Sequence, residues 1–498
     1  MAKPLQADQR GASPISTGVS GDALETSSSP WGTALASSPY SRSDRQAAFY
    51  VGAAVTLAYL LIQQGQVTVS DGKDMLAVSQ SIVHHGTLAV GPQFGVVGRG
   101  GHYFAKYGIG LSILAVPFVA VGDLVSVVTG DQAKLEGFFA ASLMPLVMGF
   151  LAASLFRTTR RLGAGSRWAA VIAVGSAFGT YALPYGKDFF AEPLTTLAIV
   201  LSIEFLMSGR CELAGVALAV AVTTRPETVV LVAILPIIVW AFRGFREAFV
   251  YGAVGAIGAV VDAVYDQYRF GSVLKSGYGS EGFTTPFVHG AAGFLYSPEK
   301  SVLLFAPIVI LVFLGSIRLW TAGIRYVVVL TLANLLVFFV LSATWHSWQG
   351  GWSWGPRLLL PGVIPAMLLL SPLTRKERRV GIGLLAVGFV MSASTILVST
   401  RAQQLDHPLP SVGPSVVRQY QLVPPVTRYT VDHLQTASPG DSRRYLSVWQ
   451  VNLRQFGTKG LLAGIAGSLV LLAALVVAIR RSPIWRNHSP PRPMPPSG

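Results

Sequence analysis

The chain strings long apolar runs between short polar breaks, the pattern of hydrophobic helices in series. Twelve such runs are predicted as spans, over 46–64, 135–156, 168–185, 191–208, 211–224, 227–242, 247–264, 301–319, 325–343, 358–373, 380–399 and 459–479. A further run, Gly108–Val128, is apolar as well but contains Pro117 and Asp123. The first 45 residues are rich in Ser, Ala, Gly and Pro and read as a disordered tail. No apolar core follows a basic start there, so the tail is not a signal peptide. A Pro- and Arg-rich stretch over 482–498 reads as a second tail. The expected organisation is an all-α polytopic bundle over 46–399, a loop or small cap over 400–458, and a last span over 459–481.

Composition strengthens this picture. Only 12% of residues are charged and 51% are hydrophobic, against about 25% charged in ordinary soluble domains. With a mean hydropathy of +0.53, a cytosolic globular enzyme and a disulfide scaffold are excluded. The single Cys211 rules out an internal disulfide. The net charge of +15 would suggest nucleic acid in a soluble protein; here basic loops on the inner membrane face explain it, and no nucleic acid partner is expected.

Charge placement sets the topology. With both termini inside, the inner loops carry Arg157, Arg160, Arg161 and Arg167, then Arg243 and Arg246, Arg318 and Arg325, Arg375 to Arg379, and Arg480 and Arg481. A span at 108–128 would turn these clusters outward, so that segment is expected to lie in the outer interface. The outer face then holds the first loop, 65–134, a turn at 186–190, a loop at 265–300 and the 400–458 loop.

Five outer segments carry candidate chemistry. Asp71 and Asp74 sit just beyond the first span, three residues apart and able to share a helical face, where a carboxylate can act as a general base. Ordinary surface acids are the plainer reading. Lys187, Asp188 and Glu192 crowd a tight turn, which an interfacial anchor would also explain. Arg225, followed by the helix-breaking Pro226, lies at membrane depth, where an ionisable residue is costly. It suits a phosphate, or a simple pair with Glu227. Tyr268–Gly279 and Gly293–Lys300 alternate Gly, Tyr and Lys, with Lys275 and Tyr278 suited to sugar or phosphate contact, and an ordered interfacial loop reads equally well on composition. Trp345–Arg357 contains four tryptophans with His346 and three glycines. A membrane aromatic belt explains the tryptophans but not the glycines or Arg357. No P-loop and no zinc-type spacing occurs, and His84 and His85, being adjacent, point apart on a helix and make a poor metal pair.

In this order the segments resemble the GT-C superfamily of integral membrane glycosyltransferases, above all bacterial relatives of dolichyl-phosphate-mannose–protein mannosyltransferase and of lipid A aminoarabinose transferase. The residues that carry the resemblance are Asp71-Gly72, Gly86, Tyr103–Gly110, Phe190–Pro193, Thr224–Glu227, Phe270–Tyr278 and Trp352–Arg357. The resemblance implies a bacterial plasma-membrane enzyme with an extracytoplasmic active site. It would transfer a sugar, with inversion, from a polyprenyl-phosphate-linked donor to a hydroxyl on a lipid, glycan or protein acceptor. Asp71 matches the catalytic base, with Asp74 and Glu192 as candidates for a second acid. Where many members have two adjacent acids, this chain has Asp-Gly, which leaves a divalent metal open. Arg225, Arg357, Lys187 and Lys275 would hold the donor phosphate. Lys106, Tyr107, Tyr278, His346, Trp352 and Trp354 would line the substrate site.

Two other classes compete. A secondary transporter would place its polar residues near the midplane of two related halves, and no such halving is visible. A noncatalytic envelope assembly protein of the same fold would keep the helices without the chemistry.

Overall fold

The computed structural model describes residues 41–351, 353–396 and 457–485. Most of both tails, the 400–458 loop up to residue 456 and Trp352 lie outside the described residues. The main helices are α1 (Arg42–Ile62), α2 (Ser70–His85), α3 (Gly110–Thr129), α4 (Gln132–Arg161), α5 (Ser166–Phe178), α6 (Ala191–Met207), α7 (Cys211–Thr224), α8 (Val229–Arg243), α9 (Phe245–Phe270), α10 (Phe287–Tyr296), α11 (Ile310–Thr321), α12 (Arg325–Thr344), α13 (Leu360–Ala366), α14 (Arg375–Ala393) and α15 (Gly457–Arg481). The architecture is a helical bundle, as the apolar runs predict. α1 begins where Ser41 and Asp44 form a reciprocal capping box, with the Asp44 amide 3.0 Å from Ser41 Oγ.

Among the described residues, seven helices are long and apolar enough to cross a membrane. Six correspond to expected spans. The seventh is Gly110–Val128, the run expected at the interface, and Pro117 does not interrupt it. Its interfacial reading therefore rests on charge placement alone. The other expected spans are helical but shorter or broken. α5 stops at Phe178 and resumes as one turn, Ala182–Gly186. The 358–373 segment alternates α13 with two 3-10 turns, Arg357–Leu359 and Met367–Leu370, in a run with Pro361 and Pro365. The first loop also holds a hairpin absent from the all-α expectation. Strands β1 (Val96–Val97) and β2 (Tyr103–Phe104) pair antiparallel, Val96 opposite Phe104. Five glycines between Gly91 and Gly101 disfavour a helix there.

The core forms around α6, almost every residue of which is buried. It packs on α4, α7, α12 and α13, and so lacks the polar stripe of a surface helix. Ion pairs mark the two ends of the bundle. At one end Arg157 pairs with Glu204 at 2.6 Å, Arg160 with Asp44 at 2.7 Å, and Arg243 with Glu247 at 2.7 Å, while Arg318 pairs with Glu377. These arginines belong to the clusters expected in the inner loops. Glu192 starts the same helix that Glu204 nearly ends, so the opposite end lies about 18 Å away along α6.

Candidate active site

Five charged side chains from four distant parts of the sequence join at that opposite end. Arg357 donates from its Nη2 to Asp71 at 2.6 Å and from its Nε to Glu192 Oε1 at 2.7 Å. Arg225 reaches the same Glu192 oxygen at 2.7 Å and Glu227 at 2.5 Å. The other Glu192 oxygen is buried without a hydrogen-bond partner.

Local sequence explains each position. Asp71 lies in the first turn of α2, where a carboxylate is favoured by the helix dipole. Glu192 has the same place in α6, with Pro193 tolerated in the first turn. Pro226 ends α7, since the residue before a proline avoids the helical region, and Arg225 is extended at φ −136° and ψ 99°. Arg357 follows Gly355, whose φ of 62° lets the Trp-rich segment turn sharply into the next helix.

The Asp-Gly departure has a steric cause. A Cβ on Gly72 would lie 2.5 Å from the carbonyl oxygen of Phe189, in the turn that precedes Glu192. α2 can approach that turn only with glycine at this position, so a second adjacent acid does not fit. The next acid is Asp74, one turn on.

The two aspartates have opposed electrostatics. Burial alone would raise Asp71, but the charge and hydrogen bond of Arg357, with hydrogen bonds from the Tyr107 and Ser70 hydroxyls, hold it at about 2. Burial and the neighbouring Asp71 charge push Asp74 up to about 7, against Lys106 and Lys73. Asp74 is therefore the carboxyl poised near neutral pH.

Aromatic rings wall the site. Tyr107 and Tyr278 meet edge to face at 6.3 Å, and Tyr278 meets Trp345 at 5.6 Å. The Lys106 amine stands 5.2 Å over the Tyr278 ring and pairs with Glu281 at 2.7 Å. The Arg357 guanidinium lies 4.6 Å from the Phe190 ring centroid. The His346 ring packs on Trp345 at 4.8 Å, with its Nδ1 buried and unpartnered. Trp354 donates its indole N–H to Met391 O at 3.0 Å, and its own carbonyl accepts from the Tyr185 hydroxyl.

Of the four cations grouped on sequence, only Arg225 and Arg357 join this network. The Lys187 amine is buried and donates to the carbonyls of Thr395 and Ile396. Burial pulls it down to about 7, with Asp188 opposing. Lys275 is exposed on the loop after α9. Lys300 is a cation that the sequence reading passed over. It is buried, donates to the carbonyl and hydroxyl of Ser353, and lies within electrostatic range of Arg357. Its signal was its place in the Gly293–Lys300 segment.

No family model matches this chain, and no curated protein matches it. Among solved structures, it aligns with two crystal structures of ArnT from Cupriavidus metallidurans, one bound to undecaprenyl phosphate and one in the apo state. Identity is 14% in both, with TM-scores of 0.40 and 0.42. The alignments cover 86% and 85% of this chain, and 76% and 74% of those chains. At those values the likeness carries neither substrate nor mechanism to this protein.

Proposed function

We propose that the protein is a GT-C-type membrane glycosyltransferase, using a polyprenyl-phosphate-linked sugar on the extracytoplasmic face. The observation that carries this is the meeting of Arg225 and Arg357 with the Asp71 carboxylate at one bundle end, beside Tyr107 and Tyr278. Two guanidinium groups suit a phosphate monoanion or diester by paired hydrogen bonds. Aromatic faces with hydroxyls suit a sugar ring. A lipid-linked donor also accounts for a membrane enzyme without a nucleotide motif.

In the reaction, the acceptor hydroxyl gives its proton to a carboxylate as its oxygen bonds to the anomeric carbon. The bond from that carbon to the phosphate oxygen breaks, and its electron pair leaves with the polyprenyl phosphate. Arg225 and Arg357 offset the charge that develops there. Asp71 and Glu227 now cover guanidinium edges that a phosphate would take. A donor phosphate would draw Arg357 from Asp71, and the freed carboxylate would become more basic as the substrate binds. Asp74, pushed up to about 7, is the second reading for the base, since an acid–base group works best near the operating pH.

The test is transfer by purified protein from a polyprenyl-phosphate sugar, with Asp71→Asn and Asp74→Asn beside it. Loss in Asp71→Asn alone makes Asp71 the base, and loss in Asp74→Asn alone makes it Asp74. Full activity in both variants would remove this mechanism, and coupled solute uptake in proteoliposomes would favour a transporter. Accumulation of a polyprenyl-phosphate sugar in a deletion strain would name the donor.

A further inference from the structure

Thirteen residues beyond Asp71, at the far end of α2, a second polar cluster joins three helices. The His84 ring nitrogen Nε2 on α2 lies 2.8 Å from Oε1 of Glu136 on α4. Asp123 of α3 completes the group, and one ligand atom from each of the three lies within 4.8 Å of the others. Glu136 is only 2% exposed. Its other oxygen accepts from the Gln80 side chain, one helical turn before His84, at 2.7 Å. The Gln132 amide nitrogen sits 2.7 Å from Asp123 Oδ1 and 3.4 Å from His84 Nε2.

A simple ion pair would explain His84 and Glu136 but not Asp123. A second carboxylate near a buried first one is repelled, and the hydrogen bonds given to these two carboxylates come from His84, Gln80 and Gln132. The Gln132 amide faces both the imidazole and Asp123. The oxygen and nitrogen of such an amide are interchangeable by a half turn, which would present an acceptor oxygen to the same point. One imidazole, two carboxylates and an amide oxygen are a ligand set for a borderline divalent ion, rather than for a soft or purely oxygen-seeking one.

We infer that His84, Asp123 and Glu136 form a zinc-class divalent metal site, with the Gln132 amide oxygen as fourth ligand. Ligands about 2.1 Å from one ion lie about 3.4 Å apart in a tetrahedron, so the widest separation closes by at most about 1.4 Å. Gln80 is the outer-shell partner that orients Glu136. The site draws one ligand each from α2 and α3 and two from α4, and pins the three helices together, about 20 Å along α2 from Asp71. It stands apart from the proposed glycosyl transfer and does not depend on it.

The experiment uses full-length, tag-free protein in detergent, stripped with chelator and titrated with Zn2+ alone. After desalting, elemental analysis is expected to find close to one zinc per chain. His84→Ala and Glu136→Gln should each retain less than a tenth of that, while His85→Ala retains it in full. Zinc should raise the unfolding temperature of the wild type and leave that of Asp123→Asn unmoved. Asp123 is partly exposed, so this variant also serves should the Glu136 change prevent folding. The inference is overturned if the wild type retains no zinc, or if a His84→Ala, Asp123→Asn, Glu136→Gln triple variant retains as much as the wild type.

Discussion

Arg225 and Arg357 hold the same oxygen of Glu192, each at 2.7 Å, although 132 positions separate them in the sequence. One buried carboxylate thus sets the spacing of the two guanidinium groups. Replacing it leaves two cations at short range without their shared counter-ion. Glu192→Ala is expected to lower stability by about 3–5 kcal/mol, the cost of breaking a buried ion pair from one side. Thermal unfolding of the purified variant in detergent measures this, and an unchanged midpoint would contradict it.

The arginines and Lys187 should separate in lipid-phosphate binding. Loss of a charged hydrogen bond costs about 1.5–3 kcal/mol, or roughly 10- to 150-fold in affinity. On the proposed function, Arg225→Met and Arg357→Met are each expected to weaken polyprenyl phosphate binding by that order. Lys187→Met should leave it within about twofold, because the Lys187 amine is engaged by the carbonyls of Thr395 and Ile396. Titration calorimetry on the three variants is the check.

Asp71 and Asp74 give pH dependences of opposite sign. Asp71 lies at about 2 in the fold, below its ordinary 3.8. Between those values the unfolded chain binds more protons, so this contribution is complete above about pH 4 and is lost as pH falls towards 2. Asp74 is raised to about 7 from 3.8. Between those values the folded chain binds more protons, and stability falls as pH rises from about 4 to 7. Asp74→Asn should therefore gain stability over wild type at pH 8 but not at pH 4. Denaturation series at the two pH values measure the difference.

Gly72→Ala puts a methyl group where the Phe189 carbonyl oxygen lies 2.5 Å away. Overpacking of this kind costs about 1–3 kcal/mol, and relief requires α2 to move from the turn before Glu192. The expected result is a lower unfolding midpoint together with reduced transfer activity. A variant with wild-type values of both would show that α2 tolerates a side chain here.

The helices were legible because each is an apolar run, and the charged site because so few charges interrupt those runs. Asp71, Glu192, Arg225 and Arg357 could be singled out on that ground. Their mutual contacts could not, since nothing local relates Arg225 to Arg357 or reveals Glu192 as the shared partner. The direction of Lys187 depends on the end of α14 and the turn after it, which are remote in sequence. The His84 cluster was hidden for the same reason: the adjacent His85 suggested an unsuitable pair, while the partners come from α3 and α4. Span number was poorly legible because α5, α7 and the proline-broken 358–373 segment are apolar but short.

The ion pairs along α6 constrain how the protein can move. Arg225 and Arg357 hold its first turn through Glu192, and Arg157 holds its last through Glu204. A slide by one helical turn, about 5.4 Å, would break both anchorages together. α6 is thus the stator of the bundle, and any rearrangement that opens the site falls to the elements around it.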